Sequence, residues 1–289
     1  MGDKDGIPWG SLAKGAVEGV LKGIADWFRG RKTLPPPTPD APATDGANPR
    51  GILIIGPGGV GKTTLARMLS GGFDWLSDDP WRYAESVSTE RYVLKDDPNT
   101  EIVVPPGQHF RRAATLPEVL AELRSDRYRG VIFVASNGHN TPHAVGPKTH
   151  PLYDDDKPAF VRQLVEQQRH DESAVFARLC EALLDVRQPV WVLLAVTKLD
   201  LWVGQRPDAE RHYSGDAFAE PIRRVEAALG SANFRFEQLF CSLLIANWRM
   251  KQGERLKPNE AGFDHQSQAE SLRELFGVMS QLMSWEADR

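Results

Sequence analysis

A glycine-rich segment, Gly56–Thr63, sets the strongest constraint on how this chain folds. It follows the apolar run Gly51–Ile55 and precedes a stretch with helical spacing that continues to Leu69. The pattern G-x-x-x-x-G-K-[ST] between a strand and a helix is typical of a phosphate-binding loop. Its glycines let successive backbone N–H groups turn inward around a phosphate, and the helix N-terminus adds its positive dipole end. The segment therefore predicts an α/β domain that binds a nucleoside triphosphate.

The polar side chains of this loop have separate expected roles. Lys62 is expected to reach the β- and γ-phosphates and so to contribute to both binding and catalysis. The hydroxyl of Thr63 is expected to be a ligand of Mg²⁺. The nucleotide-binding residues predicted from the loop are Gly56, Gly58, Gly59, Val60, Gly61, Lys62, Thr63 and Thr64.

The composition excludes several other classes of protein. The formal net charge of −4 gives no basic field, so nucleic acid is not an expected partner. Cys180 and Cys241 are the only cysteines and lie in apolar stretches, which suits a reducing, cytoplasmic compartment. No apolar run reaches the roughly 18 residues that a membrane-spanning helix needs. We therefore expect a cytoplasmic protein without a membrane-spanning segment.

The chain divides into three zones. Residues 1–32 contain an amphipathic helix, Trp9–Phe28, whose apolar side chains recur at steps of three and four. Residues 33–49 form a linker with six prolines among small polar residues. Residues 50–289 alternate strand-like and helix-like stretches, which predicts one α/β domain.

The coarse order of elements in that domain follows from apolar runs and helical spacing. The predicted strands are Gly51–Ile55, Arg91–Lys95, Thr100–Val104, Gly130–Ala135, Val190–Val196 and Phe236–Leu244. The predicted helices are Gly61–Leu69, Leu116–Leu123, Ala159–Leu184, Phe218–Leu229 and Ala269–Trp285. A turn at Asp96–Asn99 is expected to join the second and third strands. The predicted helix Ala159–Leu184 could be interrupted near Asp171.

A second motif points to the base of the nucleotide. Thr197-Lys198-Leu199-Asp200 comes directly after the predicted strand Val190–Val196. Here the sequence resembles the Ras-like small GTPase superfamily, whose [NT]-K-x-D motif occupies this position. The resemblance implies that the Asp200 carboxylate accepts hydrogen bonds from guanine and that the stem of Lys198 packs over the base. It also implies GTP or GDP as the ligand, with Mg²⁺.

The same resemblance implies the fold and one further contact. The expected fold is a Ras-like P-loop NTPase domain, with a six-stranded, mostly parallel sheet flanked by helices. The segment Phe240–Leu244 resembles the family's Ser-Ala-Lys loop, whose backbone contacts guanine. Ser242 is therefore a candidate binding residue, although the Ala and Lys of that loop are absent.

The chain departs from the family pattern at the second switch. The family's D-x-x-G, often followed by Gln, aligns with Val104-Pro105-Pro106-Gly107-Gln108. By resemblance, Gly107 supplies a backbone N–H to the γ-phosphate and Gln108 orients the attacking water, with His109 as an alternative. Val104 replaces the Asp that holds Mg²⁺ through water, which puts metal affinity and hydrolysis in doubt.

The first switch is expected in the segment 71–90. The family uses a Thr there that closes on Mg²⁺ and the γ-phosphate, and Thr89 is preferred over Ser88 as that metal ligand. Arg82 lies in the same segment, either as an internal arginine finger or as an exposed charge.

A loop at Asn137–Asp156 looks like an insertion. It carries His139, His143 and His150, whose spacing fits no metal site well. A lid or partner-binding loop and a simply solvated loop both remain open.

The amphipathic helix Trp9–Phe28 has three possible partners. It could lie at a membrane surface as a peripheral anchor, with Trp9 and Trp27 inserted. It could bind a groove on an effector protein or on a second copy. It could also dock on its own domain across the linker.

Together these features predict a GTP-binding molecular switch that hydrolyses GTP slowly and regulates a partner protein or complex. A GTP-binding interaction module without hydrolysis is the alternative, supported by Val104 and the Pro105-Pro106 pair. An ATP-using P-loop enzyme is a third reading, which the Thr197–Asp200 motif disfavours.

Overall fold

The computed structural model describes residues 51–72, 88–95, 97–107, 109–142, 144, 146–153 and 156–287. The helix and the linker predicted for residues 1–49 lie outside this part of the chain, as do Arg82, Gln108 and His143. No helix in the described residues carries an uncharged apolar stretch long enough to cross a bilayer.

Strands and helices alternate along most of the described chain. The strands are β1 (Gly51–Ile55), β2 (Glu90–Leu94), β3 (Asp97–Val104), β4 (Tyr128–Ala135), β5 (Val190–Val196), β6 (Phe234–Phe240), β7 (Trp248–Arg249) and β8 (Arg255–Lys257). The α-helices are α1 (Lys62–Leu69), α2 (His109–Arg124), α3 (Lys157–Leu183), α4 (Arg206–Ser214), α5 (Asp216–Leu229) and α6 (His265–Ala287).

Six of the strands form one sheet in the order β2-β3-β1-β4-β5-β6, and β7 and β8 form a separate hairpin. Every neighbouring pair in the large sheet is parallel except β2 and β3, which are antiparallel. The predicted fold class, a six-stranded and mostly parallel α/β sheet, is confirmed. Because the parallel strands all run the same way, the loops after β1, β3, β4, β5 and β6 meet at one edge of the sheet.

Apolar side chains cover both faces of this sheet. Along β1, Ile52 and Ile54 pack on one face with residues of α1 and α6, whereas Leu53 and Ile55 pack on the other with residues of α2, α3, α4 and α5. This alternation follows from the period of two in a strand. A sheet buried on both faces explains why its central strands are nearly continuous runs of apolar residues.

Several predicted boundaries differ from those observed. Leu94 pairs with Asp97, so the β2–β3 connection lies at Lys95 and Asp96, earlier than the turn predicted at Asp96–Asn99. Helix α3 runs through Asp171 without a break. Strand β6 ends at Phe240 rather than Leu244, because the chain turns there to bring Ser242 beneath Asp200.

Candidate functional site

The phosphate-loop segment connects β1 to α1, as the motif predicts. Gly56 is buried and has φ of +150°, and a Cβ on it would lie 2.1 Å from the backbone oxygen of Val134 in β4. Only glycine allows this close approach of the loop to the neighbouring strand. Gly56 therefore supports the loop from behind and is not one of the residues that line the cleft in front of it.

Lys62 places its ammonium group inside the loop. Its Nζ donates hydrogen bonds to the backbone oxygens of Gly56 and Pro57, at 3.0 and 2.8 Å, and only 7% of the residue is exposed. The N-terminus of α1 follows directly, so the positive end of the helix and the ammonium lie at the same place. Both features favour an anion at this point.

Gly107 comes close to the same lysine from the carboxyl end of β3. A Cβ on Gly107 would lie 2.0 Å from Lys62 Nζ and 2.6 Å from the backbone oxygen of Pro57. The two segments predicted to contact the γ-phosphate are therefore adjacent. Glycine is required here because any side chain would collide with the phosphate loop.

The residue at the altered position of the second switch, Val104, is fully buried in the apolar cluster between the sheet and α1. It pairs across the β2–β3 ladder with Glu90, whose carboxylate accepts a hydrogen bond from Tyr92 Oη at 2.6 Å. Among the described residues that line the cleft, Asp200 is the only carboxylate. The phosphate end of the cleft thus has a hydroxyl, Thr63, but no acidic side chain from the described part of the chain.

The Thr197–Asp200 motif lines the cleft beside the phosphate loop. Thr197 Oγ1 lies 2.6 Å from the backbone oxygen of Val60 and 2.9 Å from that of Ala135. Lys198 has a φ of 58°, in the left-handed region, and its Nζ donates to the backbone oxygens of Gly59 and His139 at 2.7 and 2.6 Å. These bonds join the motif to the phosphate loop. Burial lowers the pKa of Lys198 to about 8, and the charges of Asp200 and Glu172 oppose that shift.

Asp200 is held in one orientation by hydrogen bonds on both carboxylate oxygens. Ser242 Oγ donates to Oδ1 at 2.6 Å, and the backbone N–H of Ala246 donates to Oδ2 at 3.0 Å. Burial raises the pKa of the Asp200 carboxyl, while these two bonds and Lys198 lower it. The carboxylate lines the cleft although only 1% of the residue is exposed.

Ser242 has a different place from the one that the resemblance implies. Its backbone N–H donates to Ser271 Oγ at 3.2 Å and its hydroxyl bonds to Asp200, so it lies behind the carboxylate and does not line the cleft. The structure therefore presents Ser242 as a residue that positions Asp200.

The loop after β4 supports both motifs from below. The carboxylate of Glu172, fully buried on α3, accepts hydrogen bonds from the backbone N–H groups of Ser136 and Gly138 at 2.9 and 3.3 Å and from Tyr213 Oη at 2.7 Å. Burial raises the pKa of Glu172, and these donors oppose the shift. The loop continues to Thr141, whose N–H donates to the backbone oxygen of Gly59 at 3.2 Å. Glu172 was not singled out from the sequence, although an acid in line with the apolar positions of α3 was a usable signal.

The two described histidines of this loop, His139 and His150, make contacts within the fold. His139 is buried, its Nδ1 lies 2.8 Å from the backbone oxygen of Asn137, and burial lowers its pKa to about 3. His150 Nδ1 accepts a hydrogen bond from the backbone N–H of Leu152 at 3.2 Å. Among the described residues, no group of three His, Cys, Asp or Glu side chains could hold a metal ion. The part of the loop from 136 to 140 is buried, which argues against a simply solvated loop there.

One cleft of about 280 Å³ contains most of the predicted site. The predicted residues that line it are Gly58, Gly59, Val60, Gly61, Lys62, Thr63, Thr64, Gly107, Thr197, Lys198 and Asp200. Thr89, partly buried just before β2, is not among the lining residues, and Ser88 is exposed. Gln108 and the side chain of His109 lie outside the described residues.

The sequence did not reveal one wall of the cleft. The segment after Ser242 contributes Asn247, Trp248, Arg249, Met250 and Gly253, from the β7–β8 hairpin. Strands of two and three residues are too short for a periodic signal. Arg67, one turn along α1 from Thr63, was also missed.

Comparisons with known proteins give distant structural similarity only. No protein-family model and no curated protein matches the chain. A signal recognition particle receptor SRb-GTP/SRX complex from Chaetomium thermophilum is 15% identical, with 69% of this chain and 93% of that chain covered and a TM-score of 0.44. The mammalian SRP receptor is 18% identical, covers 67% and 92%, and has a TM-score of 0.40. An ADP-ribosylation-factor-like or Sar1 GTPase from Encephalitozoon cuniculi with GDP is 15% identical, covers 81% of both chains, and has a TM-score of 0.36.

The order of strands and motifs defines the architecture. A strand–loop–helix phosphate loop starts a sheet of order β2-β3-β1-β4-β5-β6, and the Thr197–Asp200 motif follows β5 at the same edge. The described part of the chain therefore has the six-stranded, mostly parallel α/β architecture that its motifs predict, with both motifs at one edge of the sheet.

Proposed function

We propose that this protein is a GTP-binding molecular switch that regulates a partner protein or complex. The observation that carries the proposal is that Lys62, Gly107 and Asp200, from three separate segments, line one cleft. In this proposal the phosphates of the nucleotide bind at the loop and its base binds at Asp200.

The preference for guanine rests on the orientation of Asp200. Its two oxygens are fixed by Ser242 and Ala246, so the remaining lone pairs are available in a defined direction. Guanine offers paired N1–H and N2–H donors to such a carboxylate. Adenine offers no such pair and would leave a buried carboxylate poorly bonded, which costs affinity.

The switch would depend on the γ-phosphate. A γ-phosphate bound at Lys62 would contact the Gly107 segment, which already lies against the loop. Thr89 is the proposed hydroxyl of the first switch. Hydrolysis would remove these contacts and release both segments.

A Mg²⁺ ion fits this site in part. Thr63 lines the cleft and supplies one oxygen of the kind that Mg²⁺ prefers, and a nucleotide's phosphates and water would complete the coordination. When bound, the ion would neutralise phosphate charge. Lys62 binds the same phosphates from the other side, and Gln108 is the proposed residue that orients the attacking water.

A GTP-binding interaction module that does not hydrolyse GTP is the second candidate. The buried Val104 favours it, because the position that normally carries a carboxylate belongs to the apolar core. Pro105 and Pro106 are also buried and restrict the backbone before Gly107. ATP as the ligand is a third candidate, opposed by the placement of Asp200.

Two measurements separate these candidates. Equilibrium competition against a labelled guanine nucleotide should show binding of GTP and GDP and much weaker binding of ATP; a preference for ATP would overturn the base assignment. Single-turnover hydrolysis with Mg²⁺ then tests the switch, with Gln108→Leu as the slowed variant. Tight GTP binding with a rate equal to that in solution would replace the switch by the interaction module.

We also propose the three-part organisation of the chain, with residues 1–32 as a helix, 33–49 as a linker and 50–289 as the nucleotide domain. In this proposal the cytoplasmic chain uses its Trp9–Phe28 stripe to bind an effector or complex. Leu21→Glu and Ile24→Glu in the full chain should abolish that association while nucleotide affinity stays unchanged. Loss of binding to anionic lipid vesicles instead would identify the helix as a peripheral membrane anchor.

A further inference from the structure

The turn that contains Asp200 is held by residues from much later in the sequence. It continues through Leu201 to Gly204 in two short 3-10 helices. The backbone oxygen of Asp200 accepts a hydrogen bond from the N–H of Glu260 at 2.7 Å. The backbone oxygen of Leu201 accepts one from Lys257 Nζ, and the N–H of Gly204 donates to Glu260 Oε2. Two residues, Lys257 at the end of β8 and Glu260 just after it, therefore bond to three positions of one turn.

Lys257 and Glu260 also bond to each other. Lys257 Nζ lies 3.1 Å from Glu260 Oε1, while the other oxygen of that carboxylate accepts the bond from Gly204. The two side chains are only 24% and 22% exposed, so water and salt screen this pair less than they would screen an open surface pair. Each member of the pair also holds a backbone group of the turn. We call this arrangement the Lys257–Glu260 clamp, and it restricts movement of the turn.

The position of the Asp200 carboxylate depends on both ends of its side chain. The carboxylate end is fixed by the donors Ser242 and Ala246, at 2.6 and 3.0 Å. The backbone end is fixed by the bonds of Glu260 and Lys257 to the turn. A backbone displacement of about 1 Å would stretch a hydrogen bond to a bound base beyond the ordinary range of about 2.7–3.2 Å. Base recognition therefore requires the turn to stay in place.

We propose that Glu260, through its clamp with Lys257, is a positioning residue for base recognition. It holds the backbone of Asp200 where the carboxylate can accept two hydrogen bonds from guanine. The proposal rests on the proposed function and extends it to a residue that does not line the cleft. A role in holding the β7–β8 hairpin alone predicts a different result. The hairpin forms a wall of the cleft, so its displacement would weaken every nucleotide by a similar factor.

The test measures GDP and IDP, whose base lacks the 2-amino group of guanine, in competition against a labelled GDP on the full chain. Asp200 is proposed to bond to two N–H groups of GDP but to only one of IDP, so the ratio of the two affinities reports the second bond. Glu260→Ala should lower GDP affinity about tenfold and IDP affinity by less, so that the ratio falls towards one.

Glu220→Ala is the matched control. Glu220 also pairs with a cation three residues away, Arg223, but both side chains are exposed on α5 and neither residue lines the cleft. This variant should bind GDP and IDP like the unmodified chain.

A double-mutant cycle then tests whether Glu260 acts through Asp200. In the Asp200→Ala chain, the addition of Glu260→Ala should lower GDP affinity by less than about twofold, because no carboxylate remains to be positioned. An equal loss of affinity in both backgrounds would overturn the proposal in favour of a purely structural role. A ratio of GDP to IDP affinity that is unchanged in Glu260→Ala would overturn it as well.

Glu260→Gln keeps the length of the side chain and an oxygen that can accept the N–H of Gly204, so it should stay folded even if Glu260→Ala does not. It loses the ion pair with Lys257 and should lower the ratio by a smaller amount. If only this variant folds, an unchanged ratio in it would overturn the proposal. Failure of the unmodified chain to bind any guanine nucleotide is a separate result, which would overturn the proposed function itself.

Discussion

The two ends of the cleft are built in different ways. At the nucleoside end, Asp200 and Lys198 are held by hydrogen bonds from several segments, and the loop beneath them is fixed by the buried Glu172. At the phosphate end, the part near Gly107 is shaped by close packing, and the buried Val104 occupies the position expected for a carboxylate. The side proposed to recognise the base is preorganised by polar networks, whereas the side proposed to switch is defined by close packing.

This difference separates binding from turnover. A carboxylate held by two donors loses little freedom when a base arrives, so it gives specificity at low entropic cost. The segment Val104–Gly107 has no acidic side chain, so it supplies no carboxylate to hold a metal ion during hydrolysis. Substitutions near Asp200 should therefore have large effects on the choice between GTP and ATP. Substitutions near Gly107 should have effects that depend on whether the ligand carries a γ-phosphate.

The largest expected effect is that of Asp200→Ala. Removing two charge-assisted hydrogen bonds to guanine should lower GTP affinity by about 100-fold or more and abolish the preference over ATP. Competition binding measures both quantities. Asp185→Ala removes an exposed carboxylate paired with Arg124 and should change neither. A preference for GTP that is retained in Asp200→Ala would contradict the role proposed for this carboxylate in recognising the base.

Gly107→Ala tests the sterically defined end. The added methyl group would collide with Lys62 Nζ and the Pro57 backbone oxygen, so the Gly107 segment must move away from the loop where the γ-phosphate is proposed to bind. GTP affinity should therefore fall about tenfold more than GDP affinity. Gly277→Ala places a methyl group on α6 where no atom lies within 4 Å, and should leave both affinities unchanged. Equal loss for GTP and GDP would show that Gly107 does not sense the γ-phosphate.

Low pH should destabilise the folded chain through His139. His139 has its pKa lowered to about 3, below the ordinary value of 6.5, so the unfolded chain binds a proton that the folded chain excludes. The free energy of unfolding should therefore fall as pH drops from about 6.5 towards 3, by up to about 1.4 kcal/mol per pH unit from this residue. Urea unfolding at several pH values should show a shallower slope in His139→Gln. His212, whose pKa is lowered to about 4, contributes equally to both chains and cancels. An unchanged slope would contradict the prediction.

Ser242→Ala has the smallest expected effect. It removes the 2.6 Å bond to Asp200 but leaves the bond from Ala246, so guanine affinity should fall about fivefold. Ser214→Ala, at the exposed end of α4, is the control. A loss as large as that of Asp200→Ala would mean that Ser242 contacts the ligand directly.

The sequence predicts the sheet and the two main motifs because both depend on local patterns. The strand before Gly56 and the strand before Thr197 are continuous apolar runs, and each motif has a fixed spacing. Helix α4 and the β7–β8 hairpin were missed because the first is polar and the second is too short to show a period. The support of Asp200 by Ala246, and of the β4 loop by Glu172, joins positions that are dozens of residues apart. Such contacts depend on tertiary packing and leave no local pattern.

The buried carboxylate of Glu172 has a consequence for local opening of the chain. Its bonds to Ser136 and Gly138 break whenever the middle of α3 separates from the sheet, and His139, which holds Lys198, lies in the same loop. A ligand that needs Lys198 in place must therefore suppress that opening, in proportion to its own occupancy. Amide hydrogens around Glu172 should exchange with solvent more slowly once a nucleotide is bound, although α3 contributes no residue to the cleft.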